Sequence, residues 1–395
     1  MERSALGLKL PEGMRDLFPE QLACLEKLEQ KALQVCKNWS YQKVLTPGLE
    51  YKACIEPDQD KEDNLYKFFD KNGHVLVLRP EFTTPIARMV ATRLKGCDLP
   101  LRFCYSGDVY RNNSAHYAEF RQVGVESIGS GSELADAEVI ALAVEILRSL
   151  DFKNFQMSLG HNAIFSGLVE EMNFDLKLRQ ELEDGIARKD MVKLERLVSQ
   201  SSIPDAAKEF LLAMPTLTGK EEVLDKLQNW NHILAIRRAI ESLRTIYLYL
   251  KDFGVQDYIN LDLGILRGFS YYTGAIFEGY LPGIGMPVIE GGRYDSLYAD
   301  FGINLPATGF AINLGLLLEQ VNDFETETAD VLVYGQSPGA VIKRCRELRK
   351  AGRKVEMALG FLTDSDAKRI ASNRGIPNLE KVDGNREPGS CEYRF

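Results

Sequence analysis

Two long runs, Leu101–Tyr110 (LRFCYSGDVY) and Tyr117–Ile128 (YAEFRQVGVESI), stand on either side of a polar loop, Arg111–His116. Both carry the aromatic and β-branched residues that suit a pleated, half-buried surface. Run, polar loop and run predict two antiparallel strands. Helical periodicity lies on both sides of the pair. Glu20–Ser40 repeats Leu22, Leu25, Leu28, Leu33 and Val35, and Leu134–Leu150 reads as a second helix. An antiparallel sheet with helices segregated around it is the α+β class. No P-loop and no GxGxxG follows a predicted strand, which argues against a Walker or Rossmann nucleotide site.

The rest of the chain divides by texture. Leu10–Pro19 (LPEGMRDLFP) is a turn-rich opening. Tyr41–Leu49 predicts a strand ending at a Pro-Gly turn, and His74–Leu78 (HVLVL) a buried strand. Thr84-Pro85 has the form of an N-cap followed by Pro at the first helical position, opening a helix through Ile86, Met89, Val90 and Leu94. Ile164–Leu250 is charged, Leu-rich and helical, with breaks near Ser202-Ile203-Pro204 and Met214-Pro215, and predicts a helical insertion between strands. Strand signals return over Tyr258–Val288, and Gly309–Val321 predicts a closing helix. After the polar joint Asp323–Thr328 come a strand Val331–Tyr334, a helix Ala340–Ala351, a strand Lys354–Met357 and a helix Asp364–Arg374, a small α/β domain. The expected domains are residues 1–325 and 329–395, with a loose end from Glu387.

Composition narrows the function classes. Lys plus Arg number 48 against 57 Asp plus Glu, a net charge of −9, so no global field attracts nucleic acid. The seven cysteines (Cys24, Cys36, Cys54, Cys97, Cys104, Cys345 and Cys391) form no CxxC, and there are only four His. A zinc site needs clustered ligands, so reduced thiols in the cytosol are expected instead. MERSALGLKLPEGMRD has no apolar core of signal-peptide length, and no run approaches a membrane span. The expectation is a cytoplasmic protein with no metal and no cofactor.

Within Glu119–Glu126 (EFRQVGVE), Gln122, Gly124 and Glu126 share one strand face, and Val123 and Val125 the other. Gln122 and Glu126 lie ~13 Å apart along the strand at ~3.3 Å per residue. Gly124 leaves the floor between them open to a small ligand with different polar groups at its two ends. A half-exposed strand with solvated Gln122 and Glu126 accounts for the same spacing. Leu261–Glu278 (LDLGILRGFSYYTGAIFE) and Glu290–Leu297 (EGGRYDSL) alternate apolar residues with Gly, Arg and Tyr, as strands lining a polar pocket would.

Taken in order, LPEGMRD, LRPEFTTPIAR (Leu78–Arg88), the strand pair with Arg111 and Gln122–Glu126, and the two Gly- and Tyr-rich segments resemble the histidyl-tRNA synthetase group over most of the chain. The resemblance implies a class II synthetase-like antiparallel sheet flanked by helices. It also implies a histidine pocket. Glu81 and Thr83 would hold the ammonium, Gln122 and Arg267 the carboxylate, and Glu126 and Tyr271 the imidazole, with Tyr272 lining the site. Gly291 and Gly292 would permit close backbone approach, and Arg293 would be a contact or a structural ion-pair residue. The chemistry suits the ligand, because carboxylates hold ammonium groups and Arg forks onto carboxylate.

The residues needed to make an adenylate are missing. Arg111 is present, but the acidic partner expected two residues on is Asn113, and Ser114 follows where a further Arg belongs. The loop Asn112–His116 has no Lys or Arg, and Gly315–Val321 (GLLLEQV) has no Arg. Loss of one preorganised transition-state donor costs ~10²–10³ in rate. A chain that keeps the pocket and loses the ATP machinery resembles the regulatory subunits of short-form ATP phosphoribosyltransferase. That resemblance implies a separate catalytic subunit as partner, L-histidine as effector, and a homodimer within a hetero-oligomer. A divergent histidyl-tRNA synthetase and a stand-alone histidine or tRNA-like binding protein are the alternatives. Ala329–Leu359 is similar to the start of a synthetase anticodon-binding domain, shortened. Its Lys343, Arg344, Arg346, Arg349, Lys350, Arg353 and Lys354 read as a solvated helix face, and tRNA binding is not expected.

Overall fold

In the computed structural model, which describes residues 8–55, 64–112, 117–201, 203–230, 233–266, 272–321 and 328–382, Leu101–Tyr110 pairs antiparallel with Glu119–Ile128. The register runs from Leu101 opposite Ile128 to Tyr110 opposite Glu119. The chain forms two units, Met1–Asn322 and Asp323–Phe395. In the first, the described residues make a nine-stranded sheet. Its order is Gln42–Lys43, Leu101–Tyr110, Glu119–Ile128, Ala307–Asn313, Ile289–Arg293, Ala275–Tyr280, Gln156–His161, Ile259–Asp262 and Thr218–Gly219. The central pairs are antiparallel, and the first strand and the Ile259–Asp262 strand join in parallel.

Helices Pro19–Asn38 and Glu133–Ser149 cover one face, and Leu234–Asp252 packs on the second of them. Their starts follow from local chemistry. Pro19 opens the first helix, and the Phe18 N–H donates to the Gln21 side chain at 3.2 Å. Ser132 caps the second by accepting the Leu134 N–H at 3.1 Å. Ala137, Val139, Ile140 and Leu147 of that helix are fully buried. On the other face, helix Thr83–Arg93 and the turn Leu297–Phe301 close a core of Phe82, Ile86, Tyr105, Tyr294 and Tyr298. The Phe82 and Tyr105 rings stack with centroids 4.3 Å apart. Truncating a buried Phe such as Phe82 to Ala costs ~3–5 kcal/mol.

Several boundaries differ from the sequence expectation. Gly309–Val321 is not one helix: Ala307–Asn313 is a central strand, and the helix is only Leu314–Leu318. A strand sheltered on both faces loses the polar–apolar alternation that would mark it. Tyr41–Leu49 splits into Gln42–Lys43 in the main sheet and Leu49–Tyr51 in a small sheet with Val75–Leu78 and Lys67–Phe69. Thr84 is not the N-cap, because its N–H bonds the Glu81 carboxylate at 3.1 Å and the helix begins at Thr83. The predicted insertion is the run of helices from Asn162–Glu171 to Leu234–Asp252, with the short strand Thr218–Gly219 inside it.

In the second unit, Val331–Gly335 lies between Val355–Met357 and Leu379–Val382, all parallel. Leu332 and Tyr334 pack on helix Asp364–Asn373, and Val331 and Val333 on helix Pro338–Lys350. The strand Leu379–Val382 completes a βαβαβ order, one strand more than the sequence predicts. Arg344 pairs with Glu380 and Glu347, Arg353 with Asp330, and Arg349 donates to the Val355 carbonyl. Those basic side chains are therefore used within the unit. The expected loose end from Glu387 lies outside the described residues.

Candidate functional site

The strand pairing puts Gln122, Gly124 and Glu126 on the same face as Gly107, Tyr105 and Phe103 on one side and Asn313, Ala311 and Gly309 on the other. Far from being solvated, Gln122 is 4% exposed and Glu126 1%. They form the floor of a pocket of about 440 Å³ counted to its open mouth. Glu81, Thr83 and Arg111 line one side, and Tyr105, Tyr272, Tyr294 and Glu290 also line it.

Each polar group is held by its neighbours. Thr83, in the first turn of its helix, donates from Oγ1 to Glu126 Oε1 at 2.8 Å. The Tyr294 hydroxyl donates to Glu126 Oε2. Burial raises the Glu126 carboxyl to about 8, against these two hydrogen bonds, and the Glu81 charge adds to the rise. Burial also pushes Glu81 up, opposed by its bonds to Thr84 and Thr83 and by the Arg111 charge. The Arg111 Nε–H donates to the Pro80 carbonyl at 3.1 Å. Gln122 Oε1 is buried, and no described residue donates a hydrogen bond to it.

Close packing explains the glycines of the floor. A Cβ on Gly309 would stand 2.0 Å from Glu126 Oε2, and one on Gly124 would stand 2.2 Å from the Tyr105 hydroxyl. Gly124 therefore admits Tyr105, not the ligand floor space expected from the sequence. Gly292 lies against the Tyr272 ring. Gly291 faces the other way, toward Phe277 and Phe310, and takes no part in the pocket. Arg293 shares that opposite face. Its guanidinium binds Asp136 at 2.9 Å and the Ser130 and Ser132 carbonyls at 3.0 and 3.1 Å. It is a structural ion-pair residue, and burial still raises Asp136 to about 6 against the Arg293 charge.

The structure thus brings Glu81, Thr83, Gln122, Glu126 and Tyr272 together, with Arg111 in the wall. Arg267 and Tyr271 lie outside the described residues, as do Asn113 and Ser114. Tyr294, Tyr105 and Glu290 were missed. Tyr294 had a signal: in EGGRYD, alternation sets Gly292 and Tyr294 on one face and Gly291 and Arg293 on the other. Among the described residues no cluster of three or more His, Cys, Asp or Glu could hold a metal. No described helix is long and apolar enough to cross a membrane.

The family described as Histidyl-tRNA synthetase matches residues 13–317. The chain is 53% identical over 379 residues to an ATP phosphoribosyltransferase regulatory subunit of Desulfitobacterium hafniense (strain Y51), covering 96% of this chain and 99% of that one. It is 39% identical to the protein of that name in Moorella thermoacetica, with 96% and 99% covered. Among solved structures it is similar to an ATP phosphoribosyltransferase regulatory subunit/histidyl-tRNA synthetase from Bacillus halodurans, at TM-score 0.83 and 29% identity over 96% of this chain and 99% of that one. The fold also matches histidyl-tRNA synthetase from Nostoc sp. PCC 7120, at TM-score 0.77 and 21% identity, over 93% and 90%.

Proposed function

Since the chain belongs to the family of ATP phosphoribosyltransferase regulatory subunits, built on the histidyl-tRNA synthetase fold, we propose that its pocket binds L-histidine and transmits that binding to a separate catalytic subunit. The family role is regulatory, and the chemistry of phosphoribosyl transfer, at the first step of histidine biosynthesis, belongs to the partner. The partner we infer is the short-form catalytic subunit, bound by a homodimer of this chain within a hetero-oligomer.

The observation that carries the ligand is the set of buried polar groups in the pocket. Glu126 sits buried on its floor, and Glu81 and the unpartnered Gln122 Oε1 lie in the same pocket. A ligand with an ammonium at one end and a ring nitrogen that can share a proton at the other satisfies this set, and histidine offers an ammonium and an imidazole. We place the ammonium between Glu81 and Gln122. Gln122 moves from the carboxylate end to the ammonium end, because a buried acceptor without a donor is costly and an ammonium supplies one. We place the imidazole at Glu126 and Tyr271 and beside Tyr272. Thr83 acts through its bond to Glu126, and Arg267 holds the carboxylate. Buried groups that demand partners reject analogues that lack them.

Inhibition at a distance requires histidine to bind two states of the complex unequally. The test is the initial rate of phosphoribosyl transfer by the reconstituted complex against histidine concentration. Wild-type complex is expected to be inhibited, and complexes carrying Gln122→Ala or Arg267→Ala to resist inhibition while still assembling. Equal inhibition of wild-type and variant complexes places the inhibitory histidine elsewhere.

A further inference from the structure

How the pocket can hold an imidazole depends on where one proton sits. The Glu126 carboxyl is fixed from both sides, by Thr83 Oγ1 at 2.8 Å and by the Tyr294 hydroxyl, in the space that Gly309 leaves free. The titratable groups facing it come from each neighbouring element. Glu81 precedes the Thr83–Arg93 helix, Tyr105 lies on the adjoining strand, and Tyr294 and Tyr298 follow the Ile289–Arg293 strand. Arg111, Tyr272 and Glu290 stand further round the wall. Among the described residues, the Arg111 charge acts on Glu81, and the charge that acts on Glu126 is the second carboxyl, Glu81. The two hydroxyls that donate to Glu126 favour its anion, but full burial and a second carboxyl in the same pocket disfavour it more, and the neutral acid is the stable form.

Resting on the histidine reading above, we propose that Glu126 meets the ligand as a neutral carboxylic acid, so that acid and imidazole together hold one proton in the complex. The acid O–H donates to the unprotonated imidazole nitrogen, or that proton crosses to give carboxylate and imidazolium. The count is the same in both cases. Binding then exchanges almost no protons between the titration of free imidazole, near 6.5, and that of the buried acid, about 8. Outside that window affinity falls, approaching about tenfold per pH unit. A carboxylate accepting from a neutral imidazole N–H behaves differently. It requires Glu126 to lose its proton, so binding releases about one proton at neutral pH and tightens as pH rises toward 8.

Titration calorimetry of the full chain with L-histidine at pH 7.2, in buffers of low and high ionisation enthalpy, separates these cases. The expected heat is independent of buffer, with fewer than about 0.2 protons exchanged per site. Release or uptake of close to one proton in wild type that Glu126→Gln abolishes overturns the shared-proton proposal and leaves the histidine site standing, since a proton from Glu81 would persist in that variant. Absence of binding, checked by equilibrium dialysis, overturns the histidine reading and the proposal with it. Glu126→Gln gives a second readout, because its amide N–H replaces the acid O–H. It is expected to keep affinity within about tenfold near neutral pH and to lose the decline above pH 8. An infrared difference spectrum of wild type against E126Q at pH 7.2 should show a carboxylic-acid carbonyl band in the unliganded protein. A carboxylate band in its place overturns the proposal.

Discussion

Replacing Glu126 by Gln should change the slope of stability against pH more than stability in acid. Burial holds the folded-state carboxyl at about 8, against an ordinary value of 4.5. Between those values the folded chain keeps a proton that the unfolded chain gives up. Glu126 therefore costs nothing below about pH 4.5, and its penalty grows as pH rises until the folded group also ionises near 8. Each pH unit inside that window adds about 1.36 kcal/mol, so the penalty grows by about 3 kcal/mol between pH 5.5 and 8.5. The amide introduced by Glu126→Gln has no proton to lose, and its shape is close to that of the neutral acid. The stability of the variant relative to wild type should therefore rise by about 3 kcal/mol from pH 5.5 to pH 8.5. Both tryptophans, Trp39 and Trp230, lie in the first unit, so urea unfolding followed by tryptophan fluorescence reports that unit alone. Parallel stability curves for the two proteins across this pH range would falsify the claim that Glu126 is a buried neutral acid.

Four further outcomes are expected. Arg293→Met strands Asp136, whose side chain is 4% exposed, and should cost ~3–5 kcal/mol in urea unfolding, with Asp136→Leu in the same chain recovering most of it. A cost below about 1 kcal/mol would show that the pair is not structural. Gly309→Ala sets a Cβ 2.0 Å from Glu126 Oε2 and 2.3 Å from the Val125 carbonyl; it should destabilise by ~1–3 kcal/mol and weaken histidine binding at least about tenfold, and unchanged calorimetry would remove Glu126 from the site. Ser132→Ala removes the cap of helix Glu133–Ser149 and should cost ~0.5–2 kcal/mol, with Ser132→Gly milder. Histidine-dependent ATP–pyrophosphate exchange should be absent, since Asn112–His116 has no Lys or Arg and Gly315–Val321 no Arg, and exchange at synthetase rates would contradict the regulatory role.

Much of the architecture was legible because its causes are local. The hairpin Leu101–Tyr110 with Glu119–Ile128 announced itself by composition and by a polar loop. The helix Glu133–Ser149 did so by periodicity, and the parallel unit from Val331 by strands alternating with helices. The strand Ala307–Asn313 was not legible, because ATGFAIN lies between two strands and its residues are sheltered on both faces. An apolar run of that length fits a helix equally well until its neighbours are known.

For the site, the chain alone determined that Gln122, Gly124 and Glu126 share a face, since side chains two residues apart on a strand must. It also carried the ordered motifs that identified the family. Tertiary structure decided what those residues meet. Glu126 is bonded to Tyr294, 168 residues away, and to Thr83, 43 residues away. Alternation alone sets Gly291 and Gly292 on opposite faces, but only the assembled sheet puts Phe277 against one and Tyr272 against the other. Burial is likewise a property of the assembled sheet and its covering helix. It makes Glu126 an acid near pH 8 and leaves Gln122 Oε1 without a donor among the described residues. Side-chain periodicity follows from the geometry of a single strand, whereas register and desolvation depend on groups brought together only when the whole unit folds.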